Sequence, residues 1–456
     1  MAAIPIVLTG IIKMRISILA TILLSWLSTG AAFSQNFNKQ KLDSLFGMLA
    51  EKNKAMGSLT ISRNGNVLYT NAIGYSYISE TEKKSATTDT KYRIGSVSKM
   101  FTATMIFQLI EEGKLGLNTT LDTYFPNLPN AKKITISNLL YHRSGLHNFT
   151  NDPDYPTYMT QVKTREEMLA IISKSKVDFE PNEKGSYSNS NYVVLGYIIE
   201  KASNQSYTKN LKDKITSKIK LLNTYSGGKT NLAANESLSY KFVNSWKPDS
   251  ETDMSIPGGA GALISTPGDL TKFIEALFSM KLISKINLEH MKTIKDGYGM
   301  GMFQIPFGDK KAYGHGGGID GFASNLAYFP DEGLAIAYCT NGQVYPMNDI
   351  LIGVLSIYFN KAYSIPKFKT LVLKTEDLDN YLGIYSSSQI PLKIIVTKDQ
   401  ITLFAQATGQ SAFPLEAIEK DMFKFDAAGV KIEFNPSKSE MTLKQGGGNF
   451  LFTKEK

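Results

Sequence analysis

Apolar positions change their spacing several times along the chain, and each spacing predicts a different element. Leu42, Leu45, Phe46 and Leu49 recur at helical intervals and predict an amphipathic helix over residues 39–53. Leu59–Arg63 and Val67–Ala72 read as strands joined through Asn64-Gly65, a dipeptide suited to the positive φ angles of a tight hairpin. A short extended piece, residues 91–94, delivers the chain to Met100–Ile110. That stretch is apolar nearly all round, which predicts a helix buried on every side, stopping at Glu111-Glu112-Gly113.

From residue 113 to residue 257 the pattern is one of helices and loops. Strands are then predicted over 300–305, 312–316, 322–329 and 334–340, with a turn at Pro330-Asp331-Glu332-Gly333 and a closing helix over 347–360. After Ile365-Pro366 the period shortens for good. Residues from about 378 to 454 break into some seven or eight short alternating runs separated by turns, which predicts a small barrel or sandwich. The domain division read from this is 35–365, a linker over 366–374, and an all-β domain over 375–456.

The first 34 residues stand apart. Lys13 and Arg15 precede an apolar run, Ile16 to Leu27, and Gly30-Ala31-Ala32-Phe33-Ser34 supplies small residues for cleavage, so residues 1–34 read as a secretory signal. Met14 is an alternative start. The expectation is a secreted or periplasmic protein with no membrane span once the signal is removed. One cysteine, Cys339, in an apolar run, excludes an intrachain disulfide. Among 456 residues, 50 basic side chains against 41 acidic ones give a formal charge of +9, but the lysines are scattered, which argues against a nucleic-acid partner. The four histidines show no metal-ligand spacing, and the glycines of residues 258–261 fit no phosphate-binding pattern, so neither metal nor cofactor is expected.

The candidate chemistry begins where the buried helix begins. Ser96 and Lys99 share a helix face, pairing a hydroxyl with an amine whose charged form burial disfavours. Ser-x-x-Lys also occurs at Ser173…Lys176 and Ser217…Lys220, in stretches that read as solvated helix surface. Tyr187 and Asn189, two apart in a Pro, Gly, Ser and Asn-rich loop, point the same way if the loop is extended. There they offer a phenol to shuttle protons and an amide to orient substrate and lysine. His315 stands before Gly316-Gly317-Gly318 in a strand whose glycines mark a close approach. His142, in Leu140-Tyr141-His142-Arg143-Ser144-Gly145-Leu146, reads as a structural hydrogen-bonding residue rather than a base.

Ser96-x-x-Lys99, Tyr187-x-Asn189 and His315-x-Gly317, in that order, resemble the three signatures of the serine β-lactamase and penicillin-binding-protein superfamily. The likeness is to its class C β-lactamase, DD-peptidase, D-aminopeptidase and esterase group. Residues 140–146 and Gly299-Met300-Gly301-Met302 are similar to accessory stretches of that group, and the C-terminal part resembles an appended lipocalin-like β domain. The resemblance implies an α/β fold, an antiparallel sheet flanked by helices with a helical lobe, and catalysis by Ser96, Lys99, Tyr187, Asn189 and His315. It implies an oxyanion hole from the N–H groups of Ser96 and Gly318, and substrate binding by Asn189, His315, Gly316 and Gly317. Histidine stands where β-lactamases usually carry lysine. The function it implies is an exported serine hydrolase acting through a Ser96 acyl-enzyme on a β-lactam, a D-amino-acid peptide or a small ester. The alternative is a penicillin-recognising sensor with little turnover.

Overall fold

The computed structural model describes residues 37–243, 245–368, 373–410, 412–425 and 428–455, so the expected signal segment lies outside the described residues. A six-stranded antiparallel sheet organises the larger part of the chain. Its strands are β1 (Ala55–Arg63), β2 (Asn66–Ile73), β3 (Phe303–Phe307), β4 (Lys310–Ile319), β5 (Phe322–Phe329) and β6 (Leu334–Gln343), in the spatial order β3-β4-β5-β6-β1-β2. The chain therefore makes both ends of the sheet from separate hairpins and closes it by pairing β6 with β1.

The central strand β6 explains why a single apolar run can serve two cores. Leu334, Ile336 and Tyr338 face α1 (Lys39–Glu51) and the closing helix Met347–Tyr358, together with Leu42, Leu45, Phe46 and Leu49. Ala335, Ala337 and Cys339 alternate with them and belong to the core on the opposite face. A strand covered on both faces shows no polar alternation, and small residues on one side let a helix approach closely. That helix is Pro267–Phe278, started by Thr266, whose side chain accepts from the N–H of Asp269. Its Phe273 stacks on Phe101 with ring centroids 3.7 Å apart.

Phe101 belongs to α2 (Ser98–Glu111), the apolar helix expected at residues 100–110, and every residue from Ser98 to Leu109 is buried. Beyond it lies the helical lobe, with α3 (Asn189–Ser203) packed against α2. This region also contains short strands, among them Tyr240–Val243 paired with Ser245–Pro248, which the sequence pattern does not separate from loop.

Residues 383–454 form a closed barrel of eight antiparallel strands with its own core, including Tyr385, Val396, Ile432 and Phe452. Buried and more exposed residues alternate along strands such as Lys393–Asp399 and Val430–Asn435, as expected of a closed barrel. Lys54, nearly buried at the start of β1, pairs with Glu416 of the barrel. The same ammonium lies 5.1 Å from the ring centroid of Phe368.

Candidate active site

A one-turn 3-10 helix, Gly95–Val97, carries Ser96 into α2. Gly95 has φ +48°, and a Cβ there would lie 2.8 Å from the N of Gly318, so the turn needs glycine both for its backbone and for the approach of β4. A second close approach follows at Gly317, where a Cβ would meet Ile94 O at 2.1 Å and Ser96 N at 3.0 Å. Ser324 Oγ on β5 donates to the same Ile94 carbonyl at 2.7 Å. The sheet thus clamps the turn that presents the serine.

Ser96 Oγ stands 2.9 Å from Lys99 Nζ and 2.9 Å from the Tyr187 hydroxyl. Lys99 is fully buried, and Nζ also donates to Asn189 Oδ1 and to the Ala260 carbonyl, each at 2.8 Å. Burial holds its pKa well below the ordinary lysine value. In the neutral amine, two N–H bonds suffice for Asn189 and Ala260, and the lone pair is left facing Ser96. Burial pushes the Tyr187 phenol up instead, so it stays protonated. Its ring lies 4.9 Å from Lys99 Nζ.

Asn189 is the first residue of α3. Its N–H donates to Asn148 Oδ1 at 2.9 Å and its Nδ2 to Thr150 Oγ1 at 3.2 Å, which turns Oδ1 toward Lys99. Asn148, Thr150 and the Ala260 carbonyl hold Asn189 and Lys99 in this arrangement, and the sequence pattern does not single them out. For the carbonyl, no side-chain signal exists. Gly258–Gly261 forms a short helix whose Gly259 meets α3, where a Cβ would lie 2.6 Å from the Tyr192 carbonyl.

The strand β4 runs through all three glycines to Ile319, further than the predicted end at Gly316. His315 points inward, buried, with its ring 4.8 Å from Phe303 and 6.2 Å from Tyr187, and Nδ1 lies 2.5 Å from the Gly316 carbonyl. Burial, and then the proximity of Lys99, bring its pKa down to about 3. Burial thus keeps the imidazole neutral across the range in which an exposed histidine titrates.

A cavity of about 240 Å³ opens beside Ser96. Gly318 and Asn189 lie on its wall, whereas His315, Gly316 and Gly317 do not. Phe149, Tyr155, Met159, Ile256, Pro257 and Ile319 make most of it apolar. Asp320 is the one charged side chain among the described lining residues, and it is already engaged by Thr252 Oγ1 at 2.6 Å and by Arg93 at 3.3 Å.

The beta-lactamase family pattern matches residues 43–353. The chain belongs to the beta-lactamase family. It is 27% identical over 437 residues to penicillin-binding protein 4* of Bacillus subtilis, covering 87% of this chain and 94% of that one. It is 29% identical over 236 residues to a teichoic acid D-alanine hydrolase of Staphylococcus aureus, covering 50% of this chain and 55% of that one. Among solved structures, D-amino acid amidase of Ochrobactrum anthropi complexed with D-phenylalanine superposes with a TM-score of 0.62 at 26% identity, covering 70% of this chain and 99% of that one. The protein is a serine hydrolase of the β-lactamase and DD-peptidase type. No helix among the described residues is long and apolar enough to cross a membrane.

Proposed function

We propose that the protein is an exported hydrolase that is acylated at Ser96 and cleaves the amide or ester bond of a small D-amino-acid derivative that carries no carboxylate. The observation that carries this reading is the placement of Ser96 Oγ at 2.9 Å from both Lys99 Nζ and the Tyr187 hydroxyl. Neutral Lys99 takes the Ser96 proton as Oγ adds to the carbonyl carbon. The N–H groups of Ser96 and Gly318 receive the oxyanion, each worth about 3–4 kcal/mol in the transition state. Lys99 and Tyr187 then return the proton to the leaving amine or alcohol as its bond to the carbonyl breaks. Water repeats the sequence on the ester to Ser96 and regenerates the serine.

The substrate class follows from the cavity. Its apolar wall suits an aliphatic or aromatic side chain, and neutral His315 offers no cation to a β-lactam or peptide carboxylate. Relatives named for D-alanine and D-amino acid hydrolysis support the same chemistry. Export rests on Lys13, Arg15 and the apolar run that follows them.

Turnover of D-phenylalanine amide, D-alanine amide, p-nitrophenyl acetate, a D-Ala-D-Ala peptide and nitrocefin, in wild type and in Ser96→Ala, tests the proposal. The two amides and the ester, which lack a carboxylate, should be cleaved, and Ser96→Ala should cleave none. Preference for nitrocefin, or activity that survives in Ser96→Ala, overturns it.

A further inference from the structure

We infer that His142 is a positioning residue for Tyr187, an inference that rests on the reading of Tyr187 as the proton-transfer partner of Ser96. The residue closes a five-residue helix, Ile136–Leu140, started by a reciprocal cap between Thr135 and Asn138. It sits at φ +56°, a left-handed conformation that histidine and asparagine adopt more readily than most residues. From there it holds the backbone on both sides of Tyr187. Its carbonyl accepts from the N–H of Ser186 at 2.9 Å, and its Nδ1 accepts from the N–H of Ser188 at 3.2 Å. The imidazole face covers the Tyr187 ring, with centroids 4.4 Å apart and planes 30° apart.

The ring itself is fixed from several directions. Tyr192 and Tyr298 pack against it with centroids at 5.1 and 5.4 Å. Asn191 accepts from Ser144 Oγ at 2.5 Å through Oδ1, which leaves its Nδ2 directed at His142 Nδ1, 3.3 Å away. With two donors facing Nδ1, the ring proton belongs on Nε2. Burial, Lys99 and His315 all keep the imidazole neutral, so Nδ1 remains an acceptor. The ring meets Tyr187 by its face, which is how a residue orients a phenol without sharing its proton. Tyr187 lies on a loop, with no element of its own to aim its hydroxyl at Ser96. His142 supplies that aim.

The test compares two substitutions and a double-mutant cycle, using the acylation rate with p-nitrophenyl acetate and labelling of Ser96 by a fluorophosphonate. His142→Asn keeps the left-handed backbone and places an oxygen where Nδ1 stood, while His142→Phe keeps a ring and loses the acceptor. His142→Phe should lower the acylation rate on the order of 10²-fold with KM unchanged, since the loss is one of alignment. His142→Asn should recover most of that rate. In a Tyr187→Phe background neither substitution should cost anything further, because there is no hydroxyl left to aim. If His142→Phe fails to fold by near-ultraviolet circular dichroism, the partial loss in His142→Asn is carried through the same cycle. Wild-type rates in the variants, a loss that falls on KM, or losses that multiply with Tyr187→Phe overturn the inference. A wild type that leaves Ser96 unlabelled overturns the reading of the site instead.

Discussion

The amide oxygen of Asn189 lies 2.8 Å from Nζ of Lys99, so the asparagine of the second motif faces the lysine as well as the substrate cavity. With the Ala260 carbonyl it occupies two of the amine's hydrogen-bonding directions and leaves the third to Ser96. The lysine's orientation is therefore set by a side chain and a backbone group from two different elements.

Replacing Asn189 by aspartate should move the acid limb of the acylation rate to higher pH. A carboxylate beside Lys99 favours the ammonium, so the pKa that burial has lowered rises again and less free amine is present at a given pH. Asn189→Ala leaves that limb nearer its original place but removes an acceptor worth about 0.5–1.5 kcal/mol to the neutral amine. Rates of Ser96 labelling from about pH 5 to pH 9, a range spanning histidine's ordinary titration, separate the two variants. Identical profiles would refute the pairing.

His315 should leave no inflection near the ordinary histidine pKa. Its folded value of about 3 keeps it neutral throughout that range, so KM for a neutral amide and for a matched carboxylate substrate should both be flat near pH 6.5. His315→Lys should lower KM for the carboxylate substrate alone. Measuring KM against pH for the pair, in both proteins, checks this, and a carboxylate-specific inflection in wild type would contradict it.

Adjacent glycines of β4 should respond differently to one methyl group. At Gly317 a Cβ would lie 2.1 Å from Ile94 O, so Gly317→Ala must push the strand off the Ser96 turn. At Gly316 the nearest atom, Ser324 O, is 3.8 Å away, ordinary contact distance. Gly317→Ala should slow Ser96 labelling on the order of 10²-fold, as misplacement of an oxyanion donor does, while Gly316→Ala labels at close to the wild-type rate. Equal rates in the two variants would show that the approach of β4 is not what holds the site.

Lys54 and Glu416 join the sheet to the barrel, and their removal should not be symmetric. Glu416→Ala leaves the Lys54 ammonium nearly buried without its carboxylate, at a cost of roughly 1–3 kcal/mol. The double variant Lys54→Met/Glu416→Leu removes both charges and should recover much of that stability. Thermal melting of the single and double variants decides, and additive losses would mean the two residues act independently.

Local patterns made much of this protein legible. Helix α1, the Asn64-Gly65 hairpin, strand β5 and the short alternating runs of the all-β C-terminal part follow from spacings of apolar residues, because such spacings report which face of each element meets a core. Ser96, Lys99, Tyr187 and Asn189 were likewise readable, since each needs a particular side chain at a particular interval. Other features were not. The start of α3 at Asn189 depends on Asn148 Oδ1, which accepts the Asn189 N–H, and on the His147 carbonyl, which accepts from Ser190 Oγ; both lie some forty residues earlier in the chain, and nothing local to the loop announces them. The charge state of His315 depends on how completely Phe303 and Tyr187 exclude water, and the role of the Ala260 carbonyl on which way a peptide group faces. The sequence by itself determined the main helices and strands and which side chains were candidates to meet at Ser96, because periodicity and side-chain chemistry are properties of neighbouring residues. Only the tertiary structure decided which groups are neutral and which carbonyl binds the lysine, because desolvation and hydrogen-bond geometry arise between residues far apart in the chain.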